Sequence, residues 1–171
     1  MVIAGVLMLA DEAAAEPLAA ELVGMGLQVR VPAVGVQQAD LPAVLADARR
    51  VAAVAIWLRS NEVPGPLVVL ARGEAARLLP ALALSQRAAG RLVTGYVLVD
   101  APSPAPSMDW PDAPVWWVAT DVAQSGTADG ALSARLRGFE VVELPERDEV
   151  AARPLARVVA RVAGAVPRHD H

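Results

Sequence analysis

The sequence predicts an α/β fold in three layers: about six mostly parallel strands in one sheet, with helices on both faces. Three observations predict it. Residues 2–10, 66–70, 96–99 and 115–119 are continuous apolar runs of strand length without polar alternation, as expected of strands covered on both sides. Stretches with apolar residues at helical spacing lie between several of them. Strands that alternate with helices build parallel units with right-handed crossovers. The 171 residues suffice for a full core, and 55% hydrophobic against 20% charged residues excludes disorder. The expected organisation is a single domain over 1–166 and a polar tail over 167–171.

Each element has its own justification. After the apolar run 2–10, residues 16–25 place Leu18, Leu22 and Met25 on one helical face and leave Glu16 and Glu21 to solvent. Gly24 and Gly26 end that helix. Residues 27–34 alternate, Leu27, Val29 and Val31 against Gln28 and Arg30, which suits a sheet edge. Asp40 is expected to cap a helix with Pro42 in its first turn and a buried stripe of Val44, Ala48, Val51, Ala55 and Leu58. Residues 61–65 form a turn, and the strand 66–70 leads into a helix over 74–88 that Pro80 should kink. Strand 96–99 is followed by a Pro/Ser-rich loop at 101–111. Strand 115–119 is followed by a flexible loop at 124–130. Strand 139–144 and a helix over 153–166, with Pro154 in its first turn, close the fold.

Composition removes whole classes of chemistry. There are no cysteines, so disulfides, thiol nucleophiles and thiolate metal sites are excluded. All 15 basic residues are arginine, so no lysine can form a Schiff base. The only histidines, His169 and His171, stand in the tail, which takes the commonest general base and metal ligand out of the folded body. A frayed terminus is the simplest reading of His169-Asp170-His171. No metal or other cofactor is expected. A net charge of −4 argues against nucleic acid or an anionic membrane as partner. The first apolar run lacks a basic leader and meets Asp11 and Glu12 at once, so it reads as a buried strand of a cytoplasmic protein. The glycine pattern of a dinucleotide site is absent after it.

One stretch has a specific look. Strand Val68-Val69-Leu70 runs into Ala71-Arg72-Gly73-Glu74-Ala75-Ala76 and an apolar helix. This resembles the nucleophile elbow, G-x-S-x-G, of the α/β-hydrolase fold. Gly95-Tyr96-Val97-Leu98-Val99-Asp100-Ala101-Pro102 resembles the strand and acid turn of thioesterase domains from polyketide and nonribosomal peptide assembly lines. Val141-Val142-Glu143-Leu144-Pro145 resembles the strand and loop that deliver the triad histidine. The resemblance implies a minimal, lidless α/β-hydrolase-like fold without the first two conventional strands, which leaves 27–34 at an edge. The departures are equally specific. The nucleophile position holds Gly73, and the histidine loop reads Glu146-Arg147-Asp148. Of the triad only the acid, Asp100, remains.

Within that fold the strand ends gather a definite set of side chains. Glu74, Asp100, Arg72 and Asp148 are the candidate catalytic residues. Asp11, Glu12, Gly73, Trp110 and Asp121 are the candidate substrate-binding residues. The Glu74 N–H would form half of an oxyanion hole. Each residue also has a plainer role. Arg72 and Glu74 suit a salt bridge at a helix start, Asp148 an N-cap, Asp100 and Asp121 loop carboxylates. Trp116 and Trp117, adjacent on a strand, must face opposite sides of the sheet. Trp110 would wall an apolar substrate or a dimer contact. Arg153, Arg157 and Arg161 recur every four residues, either as a solvated face or as a dock for an acidic partner.

Two functions remain open. One is an acyl-handling enzyme of bacterial natural-product biosynthesis that takes an acyl group from an acyl carrier (thiolation) protein and transfers or cyclises it without an acyl-serine. The other is a catalytically inactive thioesterase-like binding protein. A mean hydropathy of +0.40 without a lid to cover the mouth predicts a homodimer or a partner complex.

Overall fold

A computed structural model describes residues 4–10, 12–32, 42–63, 65–102, 113–120, 127–144 and 148–164. The strands are β1 (Gly5–Leu9), β2 (Gln28–Arg30), β3 (Leu67–Arg72), β4 (Val93–Val99), β5 (Val115–Ala119) and β6 (Glu140–Glu143). They form one sheet in the order β2-β1-β3-β4-β5-β6, with every pair parallel. The helices are α1 (Glu12–Gly24), α2 (Ala43–Ser60), α3 (Leu79–Ala88), α4 (Thr127–Leu136) and α5 (Asp148–Val162).

Strand alternation sorts the core into two layers. Leu7, Leu67, Val69, Tyr96, Leu98 and Trp117 pack on one face, with Val54 and Leu58 of α2, Leu79 and Leu82 of α3 and Ala131 and Ala134 of α4. Val6, Met8, Val68, Leu70, Val97 and Val118 pack on the other, with Leu18 and Leu22 of α1 and Leu155 and Val159 of α5. Trp117 belongs to the first layer and Trp116 to the second, as their adjacency requires. The fully buried β1 and the half-exposed edge strand β2 also match the pattern in the sequence. Among its described residues the alternating segment forms a strand over Gln28–Arg30, where it has β1 to pair with.

Four elements differ from expectation. Pro80 does not kink a long helix. Gly73–Leu78 is a 3₁₀ turn, and α3 starts afresh with Pro80 in its first turn, where a missing N–H costs little. The predicted loop 124–130 gives way to α4 from Thr127. Its internal Gly130 obscures the helix in the sequence. A Cβ there would lie 2.9 Å from the Trp117 indole, so the ring takes the space. On α2 the predicted stripe holds in part: Leu58 is buried and Val51 packs against the core, whereas Ala48 is exposed, Val44 is 80% exposed and Val54 is buried in their place. The last helix runs over Asp148–Val162, and Pro154 sits inside it rather than in its first turn. The expected lid-free loop falls mostly on 103–112, outside the described residues.

Candidate functional site

The ladder itself assembles the site. Arg72 ends β3 opposite Val99, and Val99 lies opposite Val118. Gly73, Asp100 and Thr120 each follow directly on the end of one of these three neighbouring strands. Parallel strands deliver their C-terminal ends to the same edge, which is where open α/β sheets bind ligands.

Gly73 has φ +54°, in the left-handed region. A strand that reverses into a helix within one residue needs this angle, and glycine adopts it without the Cβ penalty. The chain thus turns at Gly73 with a left-handed backbone angle and no side chain at the tip. Nothing lies within 4 Å of a Cβ built there, so the position is strained by its angle and not crowded.

Asp100 also has a positive φ, +48°, an angle that aspartate tolerates better than most residues. Its carboxylate explains why it holds there. The Thr120 N–H donates to Oδ1 at 2.7 Å, and the Thr120 hydroxyl donates to Oδ2. The Arg72 guanidinium donates to the same Oδ2 at 3.4 Å. Thr120 is buried, whereas Arg72 and Asp100 each keep about a quarter of the side chain exposed (26% for both). Sequence reading missed Thr120. A hydroxyl one residue past a buried strand, beside a strand ending in aspartate, was the available clue.

Arg72 and Glu74 do not pair with each other. Arg72 shares the face of Leu70 and lines a cavity with Met8, Leu18, Val99, Thr120 and Leu155. Glu74 turns the other way, 69% exposed, and pairs with Arg77 at 2.9 Å. Arg77 in turn approaches Asp47 of α2 at 3.9 Å. The predicted base at the mouth is therefore drawn onto the outer surface by the 3₁₀ turn, which puts residues three apart on one side. The amide next to Gly73 opens this 3₁₀ turn and not an α-helix, so the expected oxyanion site loses the aligned dipole of a full helix.

Of the remaining candidates, Glu12 begins α1 instead of standing in a loop, and Asp148 begins α5. Asp11, Trp110 and Asp121 lie outside the described residues. Among the described residues no three His, Cys, Asp or Glu side chains gather as a metal site would need. None of the helices is long and apolar enough to cross a membrane.

The cavity beside Arg72 holds about 30 Å³, room for water but not for an acyl chain. Arg72 and Thr120 bring the polar groups, and Ala152 and Leu155 of α5 and Pro17 and Leu18 of α1 close its sides. A guanidinium at such an edge, held in place by a carboxylate, can bind or polarise an oxygen that gains negative charge.

No sequence family and no curated protein matches the chain. Solved structures do. A protein from Xanthomonas campestris pv. campestris, described as a hydrolase of the α/β superfamily, superimposes with a TM-score of 0.65 at 14% identity, over 97% of this chain and 100% of that one. The NocB thioesterase domain, in covalent complex with a fluorophosphonate nocardicin G analogue, gives 0.65 at 16% identity, over 96% and 95%. The Vlm2 thioesterase domain, bound with a dodecadepsipeptide, gives 0.63 at 12%, over 94% and 93%. The chain has the α/β-hydrolase fold.

Proposed function

We propose that this protein is a thioesterase-like, non-hydrolytic acyl-handling protein of bacterial natural-product biosynthesis. It receives an acyl thioester from a carrier protein and passes it to a thiol, hydroxyl or amine, or closes a ring, without an acyl-serine. The observation that carries the reading is Gly73. A hydrolase elbow with its left-handed backbone intact has no nucleophile at its tip and has Arg72 beside it. In the proposed step the acceptor heteroatom attacks the thioester carbonyl. A carbon–heteroatom bond forms, the carbon–sulfur bond breaks, and the acceptor's proton leaves with the thiol. Arg72 supports the carbonyl oxygen as it gains charge, and Asp100 with Thr120 fixes Arg72. The similarity to assembly-line thioesterase domains supports the choice of an acyl substrate. Trp110, Asp11 and Asp121 are proposed as walls of the acyl site, with Glu12 and Asp148 at its margins.

A second reading has a specific observation behind it. Both oxygens of Asp100 already accept hydrogen bonds and Glu74 is paired with Arg77, so neither carboxylate stands ready as a base. That favours a binding protein that holds the acyl group without turning it over.

One experiment separates the readings. The pure protein is given an acyl N-acetylcysteamine thioester with a panel of thiol and amine acceptors, and the products are weighed by mass spectrometry. Acyl transfer above background, lost in Arg72→Gln, supports the enzyme. Binding of the thioester without turnover supports the second reading. Hydrolysis of p-nitrophenyl esters that disappears in Asp100→Asn would overturn both. The exposed Val44, Leu45 and Ile56 of α2 support the further proposal of a homodimer or a partner complex. A monomeric mass by light scattering at every concentration would refute the homodimer.

A further inference from the structure

Helix α5 has two working faces. Its first turns place Ala152 and Leu155 in the wall of the cavity that Arg72 and Thr120 line. Its far end reaches the start of β4 on the same face of the sheet, where a Cβ on Gly95 would come within 2.5 Å of Val162 Cγ1. The helix therefore runs from the mouth down the length of the sheet. On its outer side Arg153, Arg157 and Arg161 are all exposed, in a row that spans about 12 Å at the helical rise.

This row is not consumed by the fold. Arg153 has one partner, Glu21 of α1 at 3.6 Å, and is itself 71% exposed. Among the described residues Arg157 and Arg161 have neither an ion pair nor a hydrogen bond. Helix α1 packs alongside α5 and adds Val23, a large apolar side chain left 58% exposed. The chain as a whole carries a net charge of −4, so a cationic row starting at the mouth is a local reversal of its field.

We propose that the outer face of α5 docks a partner protein through an acidic helix, its carboxylates spaced one turn apart to meet Arg153, Arg157 and Arg161. Guanidinium groups at four-residue intervals match carboxylates at the same spacing, and the planar fork favours carboxylate over other acceptors. The start of the row at Arg153 lies one residue from Ala152 in the cavity wall, so a partner seated there ends beside Arg72. This inference rests on the acyl-handling reading only for what the partner would deliver.

The test uses the whole protein and two probes: a purified acyl carrier protein, and a synthetic helical peptide with glutamates four residues apart. Duplex DNA and vesicles of anionic phospholipid serve as competitors. Binding of both protein probes is expected, with affinity falling steeply as salt rises. The pair Arg157→Glu and Arg161→Glu should weaken it about tenfold or more, because two attractive contacts become repulsive. The milder pair Arg157→Gln and Arg161→Gln gives the same sign if the glutamates disturb the helix, and circular dichroism checks the fold in both. Failure of both probes to bind, binding indifferent to the substitutions, or tighter binding of DNA or vesicles would each overturn the proposal. Transfer from the small thioester bypasses docking. Docking without any transfer therefore sinks the acyl-transfer reading and leaves this one standing, and transfer without docking does the reverse.

Discussion

The tips of β3 and β4 stand side by side, share a left-handed backbone angle and hold it for opposite reasons. Gly73 adopts φ +54° because it has no Cβ, and among the described residues nothing lies within 4 Å of where a Cβ would stand. Asp100 adopts φ +48° because its carboxylate is tied to Thr120 and Arg72. One tip turns with no side chain in it. The other turns with a carboxylate whose oxygens are employed in joining strands. The pair teaches that one backbone angle can be held in two ways, by the absence of a side chain or by the hydrogen bonds of one.

The largest expected effect comes from beneath the second tip. Tyr96, the single tyrosine, lies buried on β4, and burial pushes its phenol up from 10.0 to about 12. The folded value exceeds the unfolded one, so this contribution to stability is whole below pH 10.0 and is lost as the pH rises through about 12. Phenolate absorbance should titrate near the upper value, together with unfolding. An ordinary titration near 10 in folded protein would show that β4 is not packed as described.

Next comes the clamp. Asp100→Ala should cost about 2–3 kcal/mol in urea unfolding, since it removes hydrogen bonds to a charged group and leaves Arg72 without its carboxylate. Asp100→Gly should cost about 1 kcal/mol less than the alanine variant, because it relieves the backbone. Equal losses in both would mean that the positive φ carries no strain. At the other tip, Gly73→Ala should cost about 1–2 kcal/mol through its angle alone. A larger loss would show an unseen clash and break the contrast. Thr120→Val keeps the shape and removes one hydroxyl bond, for about 1 kcal/mol. The smallest effect belongs to Glu74→Gln. Its pair with Arg77 is exposed, so unfolding should move by less than about 0.5 kcal/mol. A substantial loss of acyl transfer in that variant would restore Glu74 to the reaction and contradict its outward position.

Much of the fold was legible because its information is local. Uninterrupted apolar runs marked β1, β3, β4 and β5, and alternation marked β2 as an edge. Elements were misread where a distant contact decides. Gly130 hid α4 because its reason is the indole of Trp117, and the exposure of Val44 reflects how α2 rolls onto its neighbours. At the site, the residues that the resemblance picked out, Gly73 and Asp100, follow the ends of neighbouring strands. The plainer reading of Arg72 and Glu74 as salt-bridge partners does not hold: Arg72 bonds Asp100 and Glu74 pairs with Arg77.

What the sequence determined by itself is the inventory: glycine at position 73, histidine only at 169 and 171, no cysteine and no lysine, and hence no route to a thiolate or a lysine Schiff base. Those are covalent facts, and folding cannot supply an atom that the chain lacks. What only the tertiary structure decided is the partnership of charges. Arg72 goes to Asp100 and Thr120 enters unannounced, because register between parallel strands sets which tips meet, and that register is fixed by the packing of residues far apart in the chain.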